Sequence, residues 1–243
     1  MTTLAPGTRM AGATALLTGG IRGFGLAVVS ELLDRGTARV YATSRSLHTH
    51  RDPRVIPFVL DVTDDASVVA AAQGAPGVSI LVNNAGVARR FSVLDESLDD
   101  IRLELDTNLF GILRVTRAFA PLLGQHASSS VVNVLSALPW ISFGAGYGIS
   151  KAAAWSATSG LRVLLAPQGT HVRALHVGYM DTDMVASLDV PKIDPREVAR
   201  QTVDGILLAA YEVLADETAR SVKSALSGDI SRLYPQLATV ARA

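Results

Sequence analysis

The chain has no cysteine in its 243 residues, which rules out a disulfide framework, a thiol nucleophile and a cysteine-ligated zinc. It has no excess of charge either, because 22 basic residues balance 22 acidic ones. Proteins that hold duplex nucleic acid or an anionic bilayer need clustered basic charge, and no basic run here is longer than Arg89-Arg90. Long apolar runs are missing as well; none approaches the roughly 18 residues that mark a bilayer-spanning helix. Residues 1–9 lack the charged-then-apolar layout of a signal peptide. These absences direct the expectation to a soluble, cytoplasmic protein whose partner is a small molecule, with no nucleic acid, membrane or metal involved.

What is present is a compact composition, 49% apolar and 18% charged, in a chain long enough for one well-buried α/β core. Short β-branched segments alternate with helical ones, the pattern of a parallel sheet covered on both faces. Strands are expected at 13–17, 39–43, 55–59, 80–83, 131–135, 172–176 and 212–215. Helices are expected at 25–34, 65–73, 98–107 running on toward 123, 147–165 and 194–208, with two more at 218–226 and 230–240. No repeat or linker divides the chain. The fold class is therefore α/β, doubly wound around a seven-stranded parallel sheet, in a single domain spanning 1–243. A lid is expected at about 179–194 and a helical extension at about 217–243. In such sheets ligands bind at the strand C-termini.

The first strand ends in Thr18-Gly19-Gly20-Ile21-Arg22-Gly23-Phe24-Gly25, directly before a helix. Glycines permit a tight turn and close approach to a diphosphate, and the helix start offers free N–H groups. A site for NAD places an acid at the end of the second strand, to bond the ribose 2′-hydroxyl. Here that end reads Thr43-Ser44-Arg45. A serine and an arginine suit a 2′-phosphate instead, and Arg22 is expected to point a second cation at the same place. The cofactor expected is NADP(H).

Tyr147 and Lys151 lie four apart, hence on one helix face. A free phenol is a poor acid–base at neutral pH, and a nearby ammonium is expected to lower its pKa. The pair gains meaning from its company: Asn83-Asn84-Ala85-Gly86 after the fourth strand, Asn108 in a helix, Ser136 ending the fifth strand, and Gly178-Tyr179-Met180-Asp181-Thr182 after the sixth. From about Thr14 to Arg196 the chain resembles the short-chain dehydrogenase/reductase family, whose domain is of the Rossmann type.

The resemblance implies roles. Tyr147 would protonate a carbonyl oxygen, Ser136 would orient that oxygen, and Lys151 would hold the cofactor's ribose and tune the tyrosine. Asn108 would link Lys151 to solvent through a water, its side chain exposed by a helix break. Gly19, Ile21, Arg22, Gly23, Phe24, Gly25, Ser44, Arg45, Asp61, Val62, Asn83, Ala85, Gly86, Tyr147, Lys151, Gly178, Met180 and Thr182 would line the cofactor. For Asp61 a plain turn before Asp64 is an equal alternative. The implied activity is interconversion of a ketone or aldehyde and an alcohol; a non-redox isomerase or dehydratase, or an NADPH-binding sensor, are the alternatives.

Three features depart from the family. The loop between Ser136 and Tyr147 is slightly short, with Ser142 as a rival serine. Val177 stands where the family has proline, and the usual Gly-Gly ending after the seventh strand is missing. The last leaves the assembly open between a homodimer and a homotetramer, with a dimer through the 98–123 and 147–165 helices preferred. Trp140, Phe143, Tyr179, Met184 and Leu188 suggest a partly apolar substrate, and Thr182-Asp183 reads as the cap of a lid helix. His48 and His50 read as loop residues.

Overall fold

A computed structural model describes residues 7–89, 92–141 and 145–240, the last three of these as backbone only. Seven strands form one sheet: β1 (Thr14–Leu17), β2 (Arg39–Ser44), β3 (Val55–Val59), β4 (Val78–Asn83), β5 (Ser129–Val134), β6 (Thr170–His176) and β7 (Glu212–Leu214). Their order is β3-β2-β1-β4-β5-β6-β7, with every neighbouring pair parallel. The doubly wound arrangement is as expected, and the strand limits move by only one or two residues. The chain's direction of travel across the sheet reverses between β1 and β4, which opens a crevice at their C-terminal ends.

The helices are α1 (Gly23–Asp34), α2 (Asp65–Gly74), α3 (Leu98–Leu105), α4 (Gly111–Leu123), α5 (Ala145–Leu165), α6 (Pro195–Leu207), α7 (Glu217–Ala225) and α8 (Pro235–Val240). Strand residues alternate between the two faces, so each strand feeds two cores. Ala15, Leu17, Ile80 and Val82 pack with Val28, Leu32, Val203 and Ile206 of α1 and α6. Leu16, Leu81 and Val131 pack with Ala71, Val115 and Phe119 of α2 and α4. β4 and β5 are buried at every position, which is why their apolar residues fall next to each other, as in Ile80-Leu81-Val82 and Val131-Val132, rather than in alternation.

Two expectations need correction. The helix projected to run unbroken from 98 toward 123 is interrupted by a π-helical turn, Asp106–Phe110, which a hydrophobic period of about 3.6 does not reveal. The helix projected at 230–240 divides into a 3₁₀ turn, Ile230–Arg232, and α8. Among the described residues, no helix is long and apolar enough to cross a membrane.

Candidate active site

The glycine loop is braced from below by Thr18 and from the side by Asn84. The Thr18 hydroxyl accepts the N–H groups of Asn84 and Ala85, both at 2.9 Å. The Asn84 amide donates to the carbonyls of Thr18 and Gly19, both at 3.0 Å. Gly19 and Gly23 have φ of +68° and +52°, values that L side chains rarely adopt. A Cβ on Gly25 would collide with the Gly19 carbonyl, so only glycine lets α1 start so close under the loop. Arg22 precedes α1 without capping it through its side chain, which leaves the helix's first N–H groups facing the crevice. Thr182 reaches this loop from the far side, lying within van der Waals range of where a Gly23 Cβ would be. These features fit a bound diphosphate.

At the end of β2, Ser44 is half-buried and Arg45 exposed, with no acid next to them in sequence. Asp61 beyond β3, whose pKa the Thr63 N–H lowers most, is near enough for the Arg45 charge to lower it too. The Ser44 hydroxyl bonds within its own loop, to the Ser46 carbonyl and to His48 Nδ1 at 3.2 Å. Arg22 does not point at this place. Its guanidinium faces Asp183 at 3.4 Å, both side chains largely exposed, because the segment after β6 offers a carboxylate that β2 does not. Asp61 is occupied as the turn alternative requires: its Oδ1 accepts the Thr63 N–H and hydroxyl at 2.9 and 2.7 Å. Val62 packs tightly over Gly111, and Phe24 is buried in the core rather than facing the loop. Ile21 is half-buried at the loop's tip. Met180 packs against the same core as Phe24.

Asn83 is also turned away from the crevice. Its amide donates to Thr116 Oγ1 at 3.0 Å and Asn133 Oδ1 at 2.8 Å inside the protein, so only its backbone lies at the strand end. Gly86, by contrast, is where three elements converge. A Cβ there would stand 3.0 Å from Asn108 Oδ1 and 3.7 Å from Lys151 Nζ. The π-turn that carries Asn108 does not expose its side chain; Asn108 is fully buried. The wider turn aims it inward, where Oδ1 accepts the Val87 N–H at 2.9 Å. Its Nδ2 donates to the Val87 carbonyl and the Ser150 hydroxyl, also at 2.9 Å.

Lys151 is 3% exposed, and its Nζ donates to the Val134 carbonyl at 2.7 Å. Burial brings its pKa down to about 8. The ammonium sits 5.5 Å from the Tyr147 ring centre. The expected lowering of the tyrosine does not follow. Burial, followed by the nearby Glu104 charge, pushes the Tyr147 phenol up to about 12, against a smaller opposing effect from the Ser136 side chain. The phenol is therefore held in its protonated form. Ser136 lies two residues beyond β5 rather than at its last position. Its hydroxyl donates to the Val177 carbonyl at 3.3 Å and accepts the Leu138 N–H at 3.2 Å. The Ser136 carbonyl is held by His176 Nδ1 at 2.8 Å.

Trp140 does not cover this centre. It is 5% exposed, stacked on His176 at 4.0 Å between ring centres and edge-on to Trp155 at 6.0 Å. Tyr179 and Met184 are exposed beside the site and Leu188 is half-buried; Ser142 and Phe143 lie outside the described residues. The lid segment leaves the sheet at Met180 and returns at Ile193, where the two form a β-bridge. Asp183–Val185 is one 3₁₀ turn, and Thr182 precedes it without a side-chain capping bond. Gly178, at the lid's root, gives its N–H to Asp216 Oδ2 at 2.7 Å. Sequence reasoning missed Asn84, Glu104 and Asp216, since each acts across a large sequence separation that no local pattern records.

The family model described as short chain dehydrogenase matches residues 13–192. The chain belongs to the short-chain dehydrogenase family. It is an oxidoreductase of that family, similar to oxidoreductase UcpA of Escherichia coli K12, at 32% identity over 74% of each chain. Among solved structures it is similar to a short-chain dehydrogenase from Burkholderia cenocepacia in complex with NADP. That similarity has a TM-score of 0.86 and 34% identity over 95% of this chain and 99% of the other. NADPH-bound carbonyl reductase from chicken fatty liver matches with a TM-score of 0.74 and 27% identity over 81% and 92% of the two chains.

Proposed function

We propose that this oxidoreductase uses NADP(H) to reduce a small, partly apolar ketone or aldehyde, with Tyr147 as the proton donor. The observation that carries the reading is the half-buried Tyr147 one helical turn from the buried Lys151, whose ammonium stands 5.5 Å from the tyrosine ring centre. When bound, the reduced nicotinamide dinucleotide supplies the hydride. The chain's own residues do the rest. The glycine loop and the start of α1 hold the diphosphate, while Ser44 and Arg45 meet the 2′-phosphate that an acid at this position would repel. Gly86 lets Lys151 reach the ribose, and Asn108 fixes the backbone at Val87 beside it. Ser136 turns its hydroxyl from Val177 to the substrate oxygen, and Tyr147 passes its proton to that oxygen as charge develops there. Lys151 offsets the negative charge left on the phenolate.

A single domain suffices for this chemistry. We also propose a homodimer across α4 and α5; Phe110, Val163 and Leu164 are apolar and exposed there, the last two at 73% and 74%. Sedimentation as a monomer would refute that assembly.

The test is loss of NADPH absorbance with a panel of carbonyls, run beside NADH. Turnover with NADPH preferred is expected. Tyr147→Phe should lower kcat by about 10²- to 10⁴-fold while leaving NADPH affinity within a factor of about three. No turnover despite tight NADPH binding, or full activity in the phenylalanine variant, would overturn the reading.

A further inference from the structure

Two acids that this chemistry does not use lie directly behind it. Glu96 precedes α3 and Glu104 lies within it, at 7% and 0% exposure. Each carboxyl holds a backbone N–H of a different part of the site. Glu96 Oε2 accepts from Gly146, the residue before Tyr147, at 2.7 Å. Glu104 Oε1 accepts from Arg89, in the segment that follows β4, also at 2.7 Å. The oxygens left over, Glu96 Oε1 and Glu104 Oε2, are buried with no hydrogen-bond partner among the described residues, and both carboxyls crowd onto Gly146. A Cβ there would meet Glu104 Oε2 head-on and come within 2.7 Å of Glu96 Oε2. Ionised carboxylates are acceptors only, so a bond between two of them requires one proton.

We propose that Glu96 and Glu104 share a proton and act together as positioning residues, fastening the first turn of α5, and with it Tyr147, to the segment that follows β4. The fastening stands on this geometry; its effect on the rate rests on the reading of Tyr147 as proton donor. The proton has a reason to leave near neutrality. Burial pushes Glu104 up to about 7, helped by the charges of Glu96 and Asp100 and opposed by the Arg89 N–H. Asp100 faces the pair from α3, with the Arg89 guanidinium 3.9 Å beyond it. Tyr147 faces it from α5, while Lys151 turns its ammonium to Val134 instead. From the π-turn, Asp106 is engaged with Arg114 at 2.8 Å. Below about pH 7 the pair holds one proton and a single negative charge, and ties two backbone amides together. Above it, two buried carboxylates repel each other, and the added charge makes the Tyr147 phenol a weaker acid.

Glu104→Gln tests this, because an amide keeps the acceptor for Arg89 and donates to Glu96 without a titrating proton; Glu96→Gln is the companion variant. In protein carrying ¹³C at the glutamate carboxyls, one titration near pH 7 is expected in the wild type and none in Glu104→Gln. Amide exchange at Gly146 and Arg89 should quicken across the same range only in the wild type. NADPH-dependent reduction should fall several-fold through that range in the wild type and stay level in either variant. Glutamates that all titrate in the ordinary acid range, or identical pH profiles in wild type and variants, would overturn the proposal. An enzyme that shows the titration and the exchange but turns over no carbonyl would sink the proposed function and leave the fastening standing. One that reduces carbonyls without the titration would do the reverse.

Discussion

Removing the charge from Lys151 should stabilise the ligand-free protein while ending its activity. The ammonium is 3% exposed, with a carbonyl as its one hydrogen-bond partner among the described residues, and burial depresses its pKa from 10.5 to about 8. At about 1.4 kcal/mol per unit, holding the charged form inside costs about 3 kcal/mol at neutral pH. The sign follows from proton binding. Between pH 8 and 10.5 the unfolded chain binds more protons than the folded one, so stability rises with pH there; below 8 the full cost applies. Lys151→Met keeps the unbranched stem and removes the charge. The Val134 carbonyl, left without its donor, gives back about 1 kcal/mol. A net gain of about 2 kcal/mol at pH 7 remains, or about 4–8 °C in Tm for a chain of this size. Urea and thermal melts of wild type and variant at pH 7 and near pH 10.5 read the difference directly. The gain should be present at the lower pH and gone at the higher. A variant that is less stable at pH 7, or a gap that does not change with pH, would refute the account of Lys151 as a strained, desolvated charge.

The cofactor end of the site gives two further expectations. Arg45→Asp should weaken NADPH binding by roughly ten- to a hundredfold, the value of a charge-assisted phosphate contact, and leave NADH binding little changed; fluorescence titration with both nucleotides measures the ratio. Gly25→Ala, which in an ordinary exposed helix would gain up to about 1 kcal/mol, should here lower stability by about 1–3 kcal/mol through overpacking against the Gly19 carbonyl. NADPH binding should be lost with it, and a normal affinity in that variant would contradict the account of the loop.

Much of this molecule is legible in the sequence for physical reasons. β4 and β5 read as buried strands because both faces are covered, and the glycines at 19, 23 and 25 read as a cradle because backbone geometry demands them. The missing acid after Thr43 is visible as a residue type at a fixed place. Other features escape a linear reading. Asn108 is in view, but the π-turn that aims it inward is silent in the hydrophobic period. Arg22 looks free to meet a phosphate until Asp183, distant in sequence, is folded beside it. Glu104 looks like one more charge on an amphipathic helix, and only the packing of α3 on α5 puts it against Gly146. The tyrosine's pKa fails for the same reason: burial outweighs the lysine four residues away, and burial is a property of the assembled fold.

Asp216 divides its carboxylate between two tasks, one oxygen on the Gly178 N–H at 2.7 Å and the other on Ala219 at 2.8 Å, where it caps α7. The hinge of the loop over the substrate and the start of the chain's last helices are thus anchored by a single side chain. Anything that pulls on the tail, whether a truncation, a fusion or a neighbouring subunit, acts on the mouth of the pocket through that anchor. Relatives with different tails can therefore differ in substrate choice while every residue around Tyr147 stays the same.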